Sequence, residues 1–156
     1  MVSSETDEEP TRPSHAESAR TLLQTTATGV LSTLDRETGH PYGSIAEHAV
    51  DDAGRPVFLV SDLAEHTKNF RRDNRASFCI APSQEGTRTV AVERATFVGE
   101  MIEVDETDEL REAYLDRHPH AETYIDFDDF AFWRLEVDRI RYIGGFGRMS
   151  WVGEDD

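Results

Sequence analysis

Three short runs with turn signals between them constrain this chain more than anything else in it. Gly29-Val-Leu-Ser-Thr-Leu34 alternates in the manner of a strand with one buried face. Asp35-Arg-Glu-Thr-Gly39 follows, with the residue types of a hairpin turn. Tyr42 to Val50 returns, Asp51-Asp-Ala-Gly54 turns the chain again, and Pro56 to Val60 forms a third run. Connections this short cannot carry a crossover, so the three runs predict an antiparallel meander.

The rest of the chain extends that pattern. Ser14 and Glu17 have capping-box spacing, and Ala16, Ala19, Leu22 and Leu23 form an apolar stripe, so a helix starts at Ser14 and ends before Gly29. A short helix falls within residues 61–73, capped by Ser61 or Asp62. Further strands are predicted for Arg75 to Ala81, for Arg88 to Val104 with Gly99 at a bulge, and for Phe130 to Ile143. Pro82 to Gly86 reads as a loop. Glu106 to Arg117 reads as a helix with Leu110, Ala113, Tyr114 and Leu115 inward, and Pro119 ends it or opens the next. Gly144 to Trp151 reads as a glycine-rich aromatic tail. The fold class is mainly β: a six-stranded antiparallel barrel with peripheral helices, which leaves no exposed sheet edge.

One domain is expected from the 156 residues, spanning 14–156, behind a disordered acidic tail over 1–13. The formal net charge of -16 argues against nucleic acid and against anionic membrane surfaces as partners. So acidic a chain with a single lysine suggests adaptation to high salt, with an arginine-for-lysine bias in nucleotide composition as the rival cause. The one cysteine, Cys79, lies in the apolar run Ala76 to Ala81 and reads as a small core residue. No leader or membrane-spanning stretch is recognisable, which predicts a cytoplasmic protein.

The single lysine, Lys68, stands where local charge is reversed: from His66 to Arg75 there are four basic side chains besides the histidine and one acid. Thr67 and Asn69 donate neutral hydrogen bonds, Lys68 supplies a point charge, and His66 donates from its ring. With free N–H groups at a helix start, this is the chemistry of a phosphate site. An amphipathic surface helix is the plainer alternative.

Six segments together resemble a known family. They are Gly29 to Leu34, Gly39-His-Pro-Tyr-Gly-Ser44, Gly54-Arg-Pro-Val-Phe-Leu-Val-Ser61, Leu63-Ala-Glu-His-Thr-Lys-Asn69, Asp73-Asn-Arg-Ala-Ser77 and Gly144-Gly-Phe-Gly-Arg148. Their order and spacing resemble the pyridoxamine 5'-phosphate oxidase-like FMN-binding split barrels, nearest to the haem-utilisation branch. The resemblance implies a homodimer of split barrels with FMN at the interface. It implies that His66, Thr67, Lys68 and Asn69 hold the FMN phosphate and that Ser61 contacts the phosphate or ribityl chain. Tyr42, Gly43 and Ser44 are implied to lie along the isoalloxazine. His48 replaces a tyrosine common in the branch, which puts an imidazole at the flavin face and offers a ligand to iron. The sequence stops at Asp156, short of the C-terminal part that supplies haem contacts in that branch, so weak or absent haem binding and no haem breakdown are expected.

Arg94 and Arg148 are the cations expected to stabilise a reduced flavin near N1 and the C2 carbonyl, against a surface ion-pair role. His118 and His120 flank Pro119, where capping of a helix end is expected rather than metal binding. Trp133 and Trp151 read as core or dimer-interface aromatics. Asp126, Asp128 and Asp129 read as a structural loop, without the spacing of a calcium loop. Two functions are compatible with the sequence, the first being the reading and the second its alternative. One is an FMN-dependent oxidoreductase acting on a small molecule, with FMN or a deazaflavin as carrier and no obvious side-chain base. The other is a non-enzymatic flavin- or haem-binding protein used for handling, storage or sensing.

Overall fold

The computed structural model describes residues 12–82, 92–145 and 147–153. β1 (Thr28–Leu34) and β2 (Pro41–Glu47) pair antiparallel in the register Leu34↔Pro41 to Thr28↔Glu47. Asp35 makes their turn: its Oδ1 accepts from the backbone N–H of Glu37 and of Thr38, and from the Thr38 hydroxyl. Gly39, at φ 75°, takes the left-handed position.

The returning strand was expected to run unbroken to Val50, but it breaks at His48. The His48 backbone N–H donates to the Ala27 carbonyl, its Nε2 donates to the Leu23 carbonyl, and the chain then changes partner. β3 (Ala49–Val50) bridges β4 (Pro56–Ser61) instead of β1. β5 (Arg75–Ile80), β6 (Arg94–Val104) and β7 (Phe130–Ile143) complete the order β2-β1-β5-β6-β7-β4-β3, all neighbours antiparallel. The two ends of that order, β2 and β3, are separated in the chain only by His48. The sheet therefore curls until its ends meet. Because β3 holds β4 over only two residues, β2 and β4 part beyond that bridge, and a seam stays open between them. This is a mainly β split barrel.

β8 (Met149–Gly153) pairs β7. The stretch from Gly144 to Trp151, expected as a tail, instead returns as β8, and Gly144 N–H donates to the Arg148 carbonyl where the chain turns back. Eight strands are thus found among the described residues, against six expected. Gly99 sits at a register shift between β6 and β7, and a Cβ there would lie 1.8 Å from the Glu136 carbonyl oxygen. Residues 1–11 of the expected tail, residues 83–91, Phe146 and residues 154–156 lie outside the described residues.

α1 (His15–Thr25) starts as its sequence dictates: Ser14 Oγ accepts from Glu17 N–H. Its stripe joins Leu31, Phe58, Phe78 and Leu135 in the barrel core. α3 (Asp108–Arg117) is capped by Thr107 and starts two residues later than expected. With the 3-10 turn Pro119–Thr123 it covers the outer face of β4 and β7, where Tyr114, Ala121 and Ile125 pack on Val57, Leu59 and Phe132. β4 is therefore buried on both faces. Arg117 donates to the carbonyls of Leu23, Gln24 and Thr26, which supplies the free C-terminal carbonyls of α1 with partners. Cys79 was expected in the core and is only half-buried, because Phe78 and Ile80 take the inward positions of β5. Among the described residues, no helix is long and apolar enough to cross a membrane.

Candidate functional site

The seam forms a cavity of about 280 Å³. β2 gives it Ile45, Ala46 and Glu47, and β4 gives it Leu59, Val60 and Ser61. Ala64 and His66, with Tyr114, Tyr124 and Phe130, complete the lining. Most of this lining is apolar, as ligand pockets usually are. A cavity of about 170 Å³ beside α3 is lined by Asp51, Asp52, Asp105 and Glu109, with none of the site residues expected from sequence.

α2 (Glu65–Arg72) starts at Ala64, not at Ser61 or Asp62. Ser61 is engaged elsewhere: its Oγ donates to Asp129 Oδ2 at 2.6 Å and accepts from Leu63 N–H. Ala64 has no side-chain oxygen for the first-turn N–H groups, so that end of α2 keeps its electropositive character. His66 Nδ1 lies 3.1 Å from Ser44 Oγ, and its Nε2 is buried without a protein partner. Burial lowers the His66 pKa, so the ring is neutral at pH 7. Thr67 Oγ1 is likewise buried and unpartnered.

Lys68 Nζ stands 3.9 Å from Glu65 Oε1 on the helix surface. Asn69 is turned inward. Its Nδ2 donates to Thr33 Oγ1 and its Oδ1 accepts from Arg36 N–H, both at 3.0 Å, so it fastens α2 to the β1–β2 hairpin. Tyr42 and Gly43 lie on β2 near that hairpin, opposite Thr33 and Ser32. Arg94 begins β6 opposite Ile143 and donates to the Val92 carbonyl. Arg148 ends the β7–β8 turn. The fold thus gathers Ser44, Ser61 and His66 at the seam with Thr67 and Lys68 on the same turn of helix. Of the expected site residues only Ser61 and His66 are in its lining; Ser44 reaches it through His66, and Tyr42, Gly43, Thr67, Lys68, Asn69, Arg94 and Arg148 are not part of it.

His48 does not face the seam, contrary to expectation. It is fully buried, edge-on to Phe78 at 5.1 Å between ring centroids, with Nε2 2.9 Å from the Leu23 carbonyl. Burial, aided by the charge of Arg117, pushes its pKa down to about 4. The side chain turns inward because the chain changes partner strand there.

Three polar lining residues were missed as site residues, along with its apolar walls. Tyr114 was read only as the inner side of α3, and Tyr124 and Glu47 carried no signal of their own. Burial, then the neighbouring Glu47, raises the pKa of Tyr124. Tyr114 is raised by burial first, then by Tyr124 and Glu47. Both remain hydroxyl donors at any physiological pH.

Fold and seam together define a class: a split β-barrel with an apolar cleft between two parted strands. The family described as CREG, beta-barrel matches residues 10–156, and the chain belongs to that family. It is 37% identical over 142 residues to the non-canonical heme oxygenase HOZ, chloroplastic, of Arabidopsis thaliana, covering 89% of this chain and 43% of that protein. It is 39% identical to a heme binding protein from Mycobacterium smegmatis, with a TM-score of 0.85 over 93% of this chain and 60% of the other. The chain thus spans less than two thirds of either relative. HutZ, a heme storage protein from Vibrio cholerae, shares the fold at a TM-score of 0.64 and 22% identity, over 83% of this chain and 95% of that one.

Proposed function

We propose that this chain binds haem in the β2–β4 seam and that its function is haem handling. The observation that carries this reading is an apolar cleft whose lining holds one imidazole, kept neutral by burial. A porphyrin face requires apolar walls, and its iron takes a neutral imidazole. In the tautomer whose Nδ1–H donates to Ser44 Oγ, Nε2 keeps the ring's lone pair for iron. The hydroxyls of Tyr114 and Tyr124 belong to the same lining. Two relatives above 30% identity are named for haem, which supports the same ligand here.

The seam is open on one side, and a second copy of the chain is the natural cover. Val30 and Ile45 are cross-strand partners on the outer face of β1 and β2, and 43% and 79% exposed, respectively. Apolar side chains paired on an open face favour self-association.

Adding haemin to the purified chain should give a saturable Soret band. In His66→Ala the band should shift and the affinity fall at least tenfold, while far-UV circular dichroism stays that of the wild type. An unaltered spectrum and affinity in that variant would contradict the assignment of His66. Oxidative turnover is a separate question, read as loss of the Soret band when a reductant and oxygen are supplied.

FMN remains the second reading because of one feature. The start of α2 combines an uncapped first turn, a buried orphan hydroxyl on Thr67 and the ammonium of Lys68. That set suits a phosphate. Lys68→Ala should weaken FMN binding at least tenfold if a phosphate sits there, since each charged hydrogen bond contributes about 1.5–3 kcal/mol. It should leave haem binding unchanged.

A further inference from the structure

Beside the cleft, three potential ligands converge from two distant parts of the sequence. Glu47 ends β2, and His118 and His120 flank Pro119 after α3. One ligand atom from each lies within 4.8 Å of the others. His118 is buried, while Glu47 and His120 reach solvent, their side chains 35% and 57% exposed.

The protonation pattern of His118 is what makes this more than a surface ion pair. Its Nε2 lies 2.7 Å from the backbone carbonyl of His48. A carbonyl only accepts, so Nε2 carries the hydrogen. In the neutral ring Nδ1 then presents a lone pair, and it faces Glu47 Oε2 at 3.3 Å. Two acceptors that close repel each other unless a cation lies between them. His120 Nε2 approaches the same carboxylate from outside, at 2.8 Å from Oε2 and 2.9 Å from Oε1.

We propose that Glu47, His118 and His120 form a site for a divalent transition metal, with Zn²⁺ the ion its chemistry best suits. Two imidazoles and one carboxylate are a common donor set for zinc with an open fourth position. With metal–ligand bonds of about 2.0–2.1 Å, the ligand atoms of a tetrahedral zinc site lie about 3.3 Å apart. The His118–Glu47 separation already has that value, and exposed His120 needs to move outward by roughly half an ångström to match it. The His118 Nε2–H to His48 carbonyl bond is the outer-shell contact that orients metal-binding imidazoles and fixes their tautomer. A chain of net charge -16 also draws cations to its surface. Glu47 lines the seam as well, so the ion would sit at its rim. The site does not depend on whether haem or FMN fills the cleft.

The test uses the full chain freed of metal with a chelator and titrated with Co²⁺ as a spectroscopic probe. One Co²⁺ per chain should bind with the intense visible bands of four-coordinate cobalt, and Zn²⁺ should displace it. His120→Ala, at an exposed position that leaves the fold intact by circular dichroism, should lower the affinity at least tenfold. Glu47→Gln should do the same. Weak six-coordinate spectra, absence of binding, or binding that His120→Ala leaves unchanged would each overturn the proposal, the last by pointing to other histidines.

Discussion

Burial of His48 between Leu23, Phe78 and Arg117 ties stability to pH at the scale of one residue. Its pKa in the fold is about 4, against an ordinary value of 6.5. Above pH 6.5 the ring is neutral in both states and adds no pH dependence. Between these values the unfolded chain takes up a proton that the native one refuses, so stability falls with acidification, by about 3 kcal/mol in all. His66 is depressed by burial and acts in the same direction. Urea midpoints for wild type and His48→Leu at neutral and mildly acidic pH check this: the wild type should lose more on acidification, and equal losses would refute the burial account. Asn69 is the opposite case, a residue whose role a motif obscures. The run His66 to Asn69 was legible as a polar, phosphate-like cluster. What sequence could not reveal is that Asn69 spends both ends of its amide on Thr33 and Arg36, residues more than thirty positions away. Asn69→Ala should therefore cost about 2 kcal/mol of stability through two lost hydrogen bonds. Ligand affinity per folded molecule should be preserved; a selective loss of FMN affinity with unchanged denaturation would make it a phosphate ligand instead.

At the scale of elements, legibility followed the strength of the local signal. β7 was read with its observed limits, Phe130 to Ile143, because a long β-forming run lies between a turn-rich stretch and glycines. The capped start of α1 was equally plain in Ser14 and Glu17. β3 escaped because one residue, His48, breaks the pairing without any proline or glycine to announce it. β8 escaped because its five residues follow a glycine-rich turn, and its pairing with β7 is a tertiary fact. The bulge at Gly99 was legible from an isolated glycine in a β-rich run, and the structure gives its reason: the β7 backbone passes where a side chain would begin. Gly99→Ala should destabilise the protein by about 3 kcal/mol, the upper range for overpacking, because the obstacle is backbone and cannot swing aside. A chemical denaturation midpoint within error of the wild type would show that the β6–β7 ladder can slide to accommodate it.

At the scale of the whole molecule, composition argued against nucleic acid and anionic membranes as partners but could not locate the cleft. Its lining is drawn from residues 45 to 130, and only the closure of the sheet brings them together. The same closure leaves Val30 and Ile45 on an open face. Light scattering should show a dimer, and Ile45→Glu should yield folded monomers, since the side chain makes no core contact to lose. A monomeric wild type would remove the proposed cover of the seam. The central claim is that the seam takes haem, and its most direct measurement is a competition. Haemin is titrated into the ligand-free wild-type protein with and without excess FMN, and the Soret band is followed. The account predicts a stoichiometric, saturable band that FMN does not abolish. A protein that binds FMN tightly, stays yellow and yields no Soret band in its presence would contradict it.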